Sequence, residues 1–327
     1  PCHFGCPHVC NFARPATPVQ RRNPMSGMSL FDLARTFPSE EAAVFWFENL
    51  IWPADRCCGH CGSLNTYRTR SRKPLPYRCR DCKRYFSCKT GTLMARSPLP
   101  VRKWVYAIYL DITHPKGIAS TQLARDIGVC QKTAWFMLQR IREVFVARSR
   151  GVPYIGPVEV DETYIGGRER NKHWKRKLGE NWPEGKVIVA GVKDRATNRV
   201  SARVVSRSNT EDVCGFLNDH VLGHSLVYSD GASIYRAWEN HESVAHSRGE
   251  YVRGDVHTNG MESFWSLLKR AYIGTWHYIS SKHLHRYLAE MTARHNMSDL
   301  DTLSKLERIV GGMIGLRLTW ERLTRSP

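Results

Sequence analysis

The chain has no run of about 18 apolar residues that would cross a bilayer, and no basic amphipathic helix stands alone at either end. A membrane is therefore not expected among its partners. No apolar core of a secretory leader is visible near the first residue, so nothing favours an exported disulfide framework. Internal repeats and low-complexity tracts are missing too, which excludes a solenoid. Acidic residues are scarce relative to basic ones: 30 Asp plus Glu against 49 Lys plus Arg, a formal net charge of +19. An excess that large points to a polyanionic partner, and with the membrane set aside that means nucleic acid. The 327 residues are enough for two or three domains.

Among 11 cysteines, four fall into two CxxC pairs, Cys58-Gly59-His60-Cys61 and Cys79-Arg80-Asp81-Cys82, with 17 residues between the pairs. Each pair folds as a tight knuckle, and two knuckles bring four thiolates into a tetrahedron around Zn²⁺. The stretch from Tyr67 to Tyr77 then forms a hairpin. Arg68, Arg70, Arg72, Lys73, Arg78, Arg80, Lys83 and Arg84 make this ribbon strongly basic, suited to phosphate contacts. Cys57 and His60 fall off the ligand spacing. Upstream, residues 29–50 look helical, with Ser39 as a plausible N-cap and acids in the first turn after it.

Residues 118–142 read as two short amphipathic helices around Gly128. Ile118, Leu123, Ala124 and Ile127 line the first apolar face, and Trp135, Leu138 and Ile141 the second. Gln131, Lys132, Thr133 and Gln139 are expected to point outward. A short turn with glycine between two such helices is the helix-turn-helix pattern, which lays its second helix in the major groove of DNA.

Gly and Pro punctuate a linker at 151–157. Short β-rich runs follow at 158–165, 186–193 and 199–206, then alternation of strand and helix, with helices at 260–273 and 282–295. This fits an α/β domain, a mixed sheet with helices packed on it. In Val158–Ile165 the alternation sets Val158, Val160 and Glu162 on one face and Glu159, Asp161 and Thr163 on the other. An acid inside a hydrophobic strand is costly unless paired or bound to metal. Asp230 ends a second strand, Leu226–Ser229, before Gly231. Glu262 lies on a helix in the run His257-Thr258-Asn259-Gly260-Met261-Glu262, and Lys269 follows seven residues later, two turns on and on the same face. Two strand carboxylates and one helix carboxylate can converge on Mg²⁺, a hard cation that takes oxygen ligands, beside a lysine that meets phosphate. Arg168, Arg170, Lys172, Lys175, Arg176 and Lys177 lie between the first two acids and are expected to track a DNA backbone, with Trp174 or Trp182 stacking on an unpaired base.

With these residues in view, the chain resembles bacterial insertion-sequence transposases that join an N-terminal zinc ribbon to a DDE catalytic domain, the ISXO2-like group related to the eukaryotic Merlin elements. The resemblance runs from about residue 28 to 323 through CGHCGS…YRCRDC, VDETYIGG, YSDGASIY, HTNGMESFWSLLKRAYIGTWHYISSKHLHRYL and GLRLTWERL. It implies an RNase H-like fold with acids on the first and fourth strands and on a later helix, and metal-dependent cleavage and strand transfer at transposon ends with Mg²⁺ or Mn²⁺. Asp161 and Asp230 carry over as the two aspartates. Glu262 is the expected third ligand, with Asn259 as a secondary ligand or an alternative. Lys269 and its neighbour Arg270 are expected on DNA, and His257 orients a phosphate or caps the helix. A dimer at least is expected in the DNA complex, in a bacterial cytoplasm and on the nucleoid.

The expected domains are an unstructured or non-native extension over 1–28, a helix plus zinc ribbon over 29–100, a helix-turn-helix over 101–150 and a catalytic domain over 151–327. Within the extension, a start at Met25 or Met28 is expected, and a small metal knuckle from Cys2, Cys6, Cys10, His3 and His8 is the alternative. Two rival functions stay open on the sequence: an RNase H-like nuclease or resolvase, and a non-catalytic zinc-ribbon regulator.

Overall fold

The computed structural model describes residues 27–148, 153–166, 186–205, 210–230, 235, 238, 240–244, 253–254 and 256–325. The chain divides into two compact units, Pro1–Tyr109 with Asp299–Leu323, and Leu110–Ser298 with Thr324–Pro327. Among the described residues no helix is long and apolar enough to cross a membrane.

In the first unit, the helical stretch expected over 29–50 is two helices, α1 (Leu30–Thr36) and α2 (Glu40–Ile51), the second capped by Ser39 as expected. Pro38 is the reason: its ring disfavours helical backbone at Phe37, so the chain stops and restarts. Each helix then needs its own cap. Ser29 and Asp32 cap α1 reciprocally, and Ser39 accepts from the Ala42 N–H at 3.2 Å. Three short antiparallel strands follow, β1 (Thr66–Arg68), β2 (Tyr77–Cys79) and β3 (Tyr85–Phe86), in that order in the sheet. Tyr67 pairs with Arg78 and Arg68 with Tyr77, which is the expected hairpin. Trp52 at the end of α2 packs edge-on against Tyr77 and Phe86, and the Tyr77 hydroxyl donates to Glu48 at 2.9 Å. Glu40 accepts from the Val101 and Arg102 N–H groups at 2.7 and 2.8 Å, satisfying orphan donors at the start of α3 (Val101–Thr113). Near the C-terminus the helix Thr302–Gly312 returns to this unit, and the Leu93 N–H bonds to the Met313 carbonyl at 3.1 Å.

The second unit opens on α4 (Ser120–Ile127) and α5 (Gln131–Ala147). Gly128 joins them with φ 63°, a left-handed backbone that closes α4 without the penalty of a Cβ. Among the described residues five strands follow: β4 (Val158–Ile165), β5 (Val187–Asp194), β6 (Val200–Val205), β7 (Val227–Ser229) and β8 (His241–Ser243). Their order is β6-β5-β4-β7-β8, with β4, β5 and β6 antiparallel and β4, β7 and β8 parallel. The sheet is therefore mixed, and helices cover both faces. On one side α6 (Thr210–His220) packs Val213, Phe216 and Leu217 against Val158, Val160, Ala190 and Val192. On the other, α7 (Asn259–Ala271) and α8 (Ser281–Asn296) bring Met261, Phe264, Trp265, Leu268 and Leu288 onto Ile165, Val189 and Val200. This arrangement agrees with an RNase H-like sheet.

Helices α5 and α8 are joined by buried charge. Arg142 bonds Glu290 at 2.6 Å and lies 3.9 Å over the Tyr287 ring; Arg294 bridges Glu290 at 2.5 Å and Asp111 at 3.3 Å. Burial, and then the Glu290 charge, push the Asp111 carboxyl up to about 7. Breaking such a pair from one side strands the other charge. Arg142→Ala is expected to cost about 3–5 kcal/mol, measured by urea unfolding; a loss below about 1 kcal/mol would show that the network is not holding the two helices.

Candidate active site and metal centre

Asp161 lies midway along β4 and Asp230 directly follows β7. The two strands run parallel with Val158 opposite Val227 and Glu159 opposite Tyr228. Carrying that register two residues further sets Asp161 opposite Asp230, on strands that lie about 4.8 Å apart. The two faces of β4 are occupied as the alternation predicts: Val158 and Val160 pack under α6, and Glu162 accepts from the Tyr235 hydroxyl at 2.6 Å on that side.

The opposite face is built around Glu159, which is 3 % exposed. It accepts from Arg195 Nε at 2.9 Å and from the Met261 N–H at 3.1 Å, one of the unpaired donors in the first turn of α7. Arg195 in turn donates to the His257 carbonyl at 2.9 Å, contacts its Nδ1 at 2.9 Å, and stacks 4.3 Å over Tyr228. His257 Nδ1 lies 3.5 Å from Glu159. One buried carboxylate thus ties β4, the end of β5 and the start of α7 together. The approach is close enough to demand glycine twice. A Cβ at Gly260 would sit 2.6 Å from Glu159 Oε2, and one at Gly191, the partner of Asp161 in β5, would sit 2.5 Å from the Trp265 ring.

This clamp fixes the start of α7, whose first turn carries Glu262 near the Asp161 carboxyl. Burial, and then the Asp230 charge, push the Asp161 carboxyl up to about 7; the Glu162 N–H, donating at 2.8 Å, works the other way, and Glu162 and Glu262 add further repulsion. Asp161, Asp230 and Glu262 therefore share one electrostatic field. Their oxygens are not drawn within 4.8 Å of one another. Asn259 is the first residue of α7 and is exposed, as are Glu262, Lys269 and Arg270.

In the other unit, the sulfurs of Cys58, Cys61, Cys79 and Cys82 all lie within 4.8 Å of one another, the one such group among the described residues. Cys58–Cys82 and Cys61–Cys79 are each 3.7 Å apart. A tetrahedron with Zn–S arms of ~2.3 Å has edges of about 3.8 Å, so the cluster fits a structural Zn²⁺. Gly59 is required here, since a Cβ would meet the Thr90 carbonyl oxygen at 2.5 Å. Around the cluster, Arg68, Arg70, Arg72, Lys73, Arg80, Lys83 and Arg84 are exposed, while Arg78 is half-buried and stacks 5.0 Å over Tyr85. Cys57 lies outside the ligand set, and His60 bonds the Tyr85 carbonyl instead.

On α5, Gln131 and Lys132 are exposed and Thr133 half-buried. Gln139 does not point outward as expected: it is fully buried and donates to the Tyr287 hydroxyl at 3.3 Å, because α8 covers that face. Arg168, Arg170, Lys172, Lys175, Arg176 and Lys177, with Trp174 and Trp182, lie outside the described residues.

Sequence reading assigns no role to Glu159 and does not single out Arg195. A signal exists for the first, an acid in the same strand face as Asp161; Arg195 has none, since it meets its partners only through sheet register.

Comparison with known proteins adds the following. Residues 154–296 match the family described as the ISXO2-like transposase domain, and residues 38–85 match the transposase zinc-ribbon domain. The chain is 32% identical over 252 residues, 72% of its length and 84% of the relative's, to an uncharacterized protein in transposable element ISH50 of Halobacterium salinarum.

Proposed function

Because the chain belongs to the family of ISXO2-like transposases, enzymes of metal-dependent polynucleotidyl transfer, we propose that it binds the terminal inverted repeats of an insertion sequence, cleaves the DNA strand there and joins it to a target. The observation that carries this reading is the register that sets Asp161 opposite Asp230, with Glu262 in the first turn of α7 near enough to act on the Asp161 carboxyl. Three anionic oxygen donors, one of them a desolvated carboxyl crowded by like charge, suit a hard divalent cation. Asp161, Asp230 and Glu262 would hold Mg²⁺ or Mn²⁺, with Asn259 within the same first turn of α7 as a secondary or alternative ligand. Such an ion polarises a phosphate oxygen and makes water or a 3′-hydroxyl a better nucleophile.

The protein's own part is positioning. Glu159 and Arg195 fix the start of α7, so Glu262 meets the strand acids without a search through rotated helices. Lys269, two turns along the same exposed face, holds the DNA phosphate beside the cut, and Arg270 adds charge. In-line attack by a hydroxyl needs no covalent enzyme intermediate, so no Ser or Tyr nucleophile is assigned.

End recognition falls to the paired helices α4 and α5, read as a helix-turn-helix. The start of α5, with Gln131, Lys132 and Thr133, enters the major groove, where amide and hydroxyl groups read base edges. The arginines of the ribbon contact backbone phosphates. Two ends must be brought together, so the working complex is at least a dimer on DNA, held on the bacterial nucleoid.

The test is a joining assay with purified protein, Mg²⁺, a duplex ending in the inverted repeat that flanks the coding sequence, and a plasmid target. Cleaved ends and plasmid-joined products are expected. Cutting without joining would recast the protein as a nuclease, and end binding without cutting as a regulator.

A further inference from the structure

The outer face of α7 continues beyond the residues assigned above. Counting from Glu262, Ser266 and Lys269 fall at +4 and +7, a single stripe on a helix of 3.6 residues per turn, and Ile273 follows in the turn just after the helix. All four are exposed, while Met261, Phe264, Trp265 and Leu268 face the sheet. At Tyr272–Trp276 the helix widens into one π-helical turn, and His277 takes a left-handed φ of 58°. Interruptions of both kinds concentrate where a protein binds or reacts. Their result is an outward tip: Ile273 is 69 % exposed and Tyr278 is 76 % exposed.

Ile273 and Tyr278 thus offer an aliphatic side chain and an aromatic ring to solvent, five residues apart on the same turn of chain. The surroundings say what they suit. No Asp or Glu occurs between Ser263 and Ala289, whereas Lys269, Arg270 and Lys282 flank the tip. A polyanion matches that charge. The tip is also firmly based. Trp276 packs edge-on against Tyr287 with ring centres 4.8 Å apart and lies 5.8 Å from the Arg142 guanidinium, and Ile279 is buried. An exposed aliphatic and aromatic pair in a segment with cations and no acids fits the one apolar part of DNA, its base faces, which become available when a base step opens.

We propose that Ile273 and Tyr278 form a wedge that opens a base step of the bound transposon end. Glu262 to Ile273 is about 16 Å along the helix at ~1.5 Å per residue, or about five base pairs at ~3.4 Å each, so the opened step lies about that far from the cut. This rests on the proposed strand-cleaving site at Glu262, and the test separates the two.

The duplex end is prepared as a series with 2-aminopurine at successive steps, and fluorescence is read with full-length protein in EDTA, where no cutting occurs. The wild-type protein is expected to raise fluorescence several-fold at one step about five base pairs from the cut. Ile273→Ala with Tyr278→Ala, both exposed, is expected to keep the fold, abolish that rise and slow Mg²⁺-dependent cutting roughly tenfold. A mismatch placed at the same step restores cutting by the variant. No rise at any step with wild-type protein, or an equal rise with the variant, overturns the wedge, as does a variant whose only change is weaker self-association without DNA. Absence of cutting by wild-type protein overturns the reading of the acids, while the wedge is still judged by fluorescence.

Discussion

Asp230→Asn is expected to lower Mg²⁺-dependent cleavage of a duplex end by roughly three orders of magnitude while leaving end binding in place. Asparagine keeps the shape of the side chain and removes the charge that a divalent cation needs. Binding of DNA draws on the cationic surfaces, so neutralising one acid beside phosphate does not weaken it. Nor should the fold suffer, because Asp230 is the strongest like charge acting on Asp161, and its loss relieves repulsion within the pair. A thermal melt therefore separates loss of chemistry from loss of structure. The third corner is resolved in the same assay. Glu262→Gln is expected to approach the Asp230 effect, whereas Asn259→Ala removes only a neutral amide and is expected to lower the rate less. The reverse order would transfer the third ligand to Asn259, and full activity of Asp230→Asn would end the assignment of the strand acids.

How much of this was legible beforehand depends on the distance over which each feature is encoded. The ribbon is local, since two CxxC knuckles carry their geometry in four-residue windows, and the sulfurs meet as the spacing requires. The faces of β4 are local too, because period two is a property of the strand itself. What holds the site together is not. Glu159 and Arg195 are 36 residues apart and meet only once β4 and β5 pair. Arg142 and Glu290 are 148 residues apart, and both would pass for surface charge on amphipathic helices. Gln139 is misread for the same reason: its polarity points to solvent, but α8 supplies a buried hydroxyl partner. The broken helix at Pro38 is a different case, a local signal outweighed by the apolar pattern on either side of it.

The ribbon gives the second large effect. Its apolar core among the described residues is Cys58, Tyr77, Cys79 and Phe86, with Trp52 and Cys82 packed against it. Two of those four buried residues belong to the cysteine cluster that suits Zn²⁺, so a bound ion would be part of the core rather than an addition to it. Three strands of two or three residues each cannot hold a register alone. Folding of this segment would then be coupled to metal binding, which in comparable small sites supplies about 10–16 kcal/mol at neutral pH. Cys79→Ser replaces a fully buried thiolate with a poor zinc ligand. The expected outcome is a fall in bound zinc from about one per chain towards none, with new tryptic cleavage at Arg68, Arg70 and Arg72 as the hairpin opens. The sheet carrying Asp161 has its own core on both faces, so its resistance to proteolysis should be retained. End binding should weaken, and its salt dependence should become shallower as the ribbon's phosphate contacts are lost. A variant that keeps a full complement of zinc and an intact hairpin would show that Cys79 is not a ligand and that the fold of the ribbon comes from Trp52, Tyr77 and Phe86 instead.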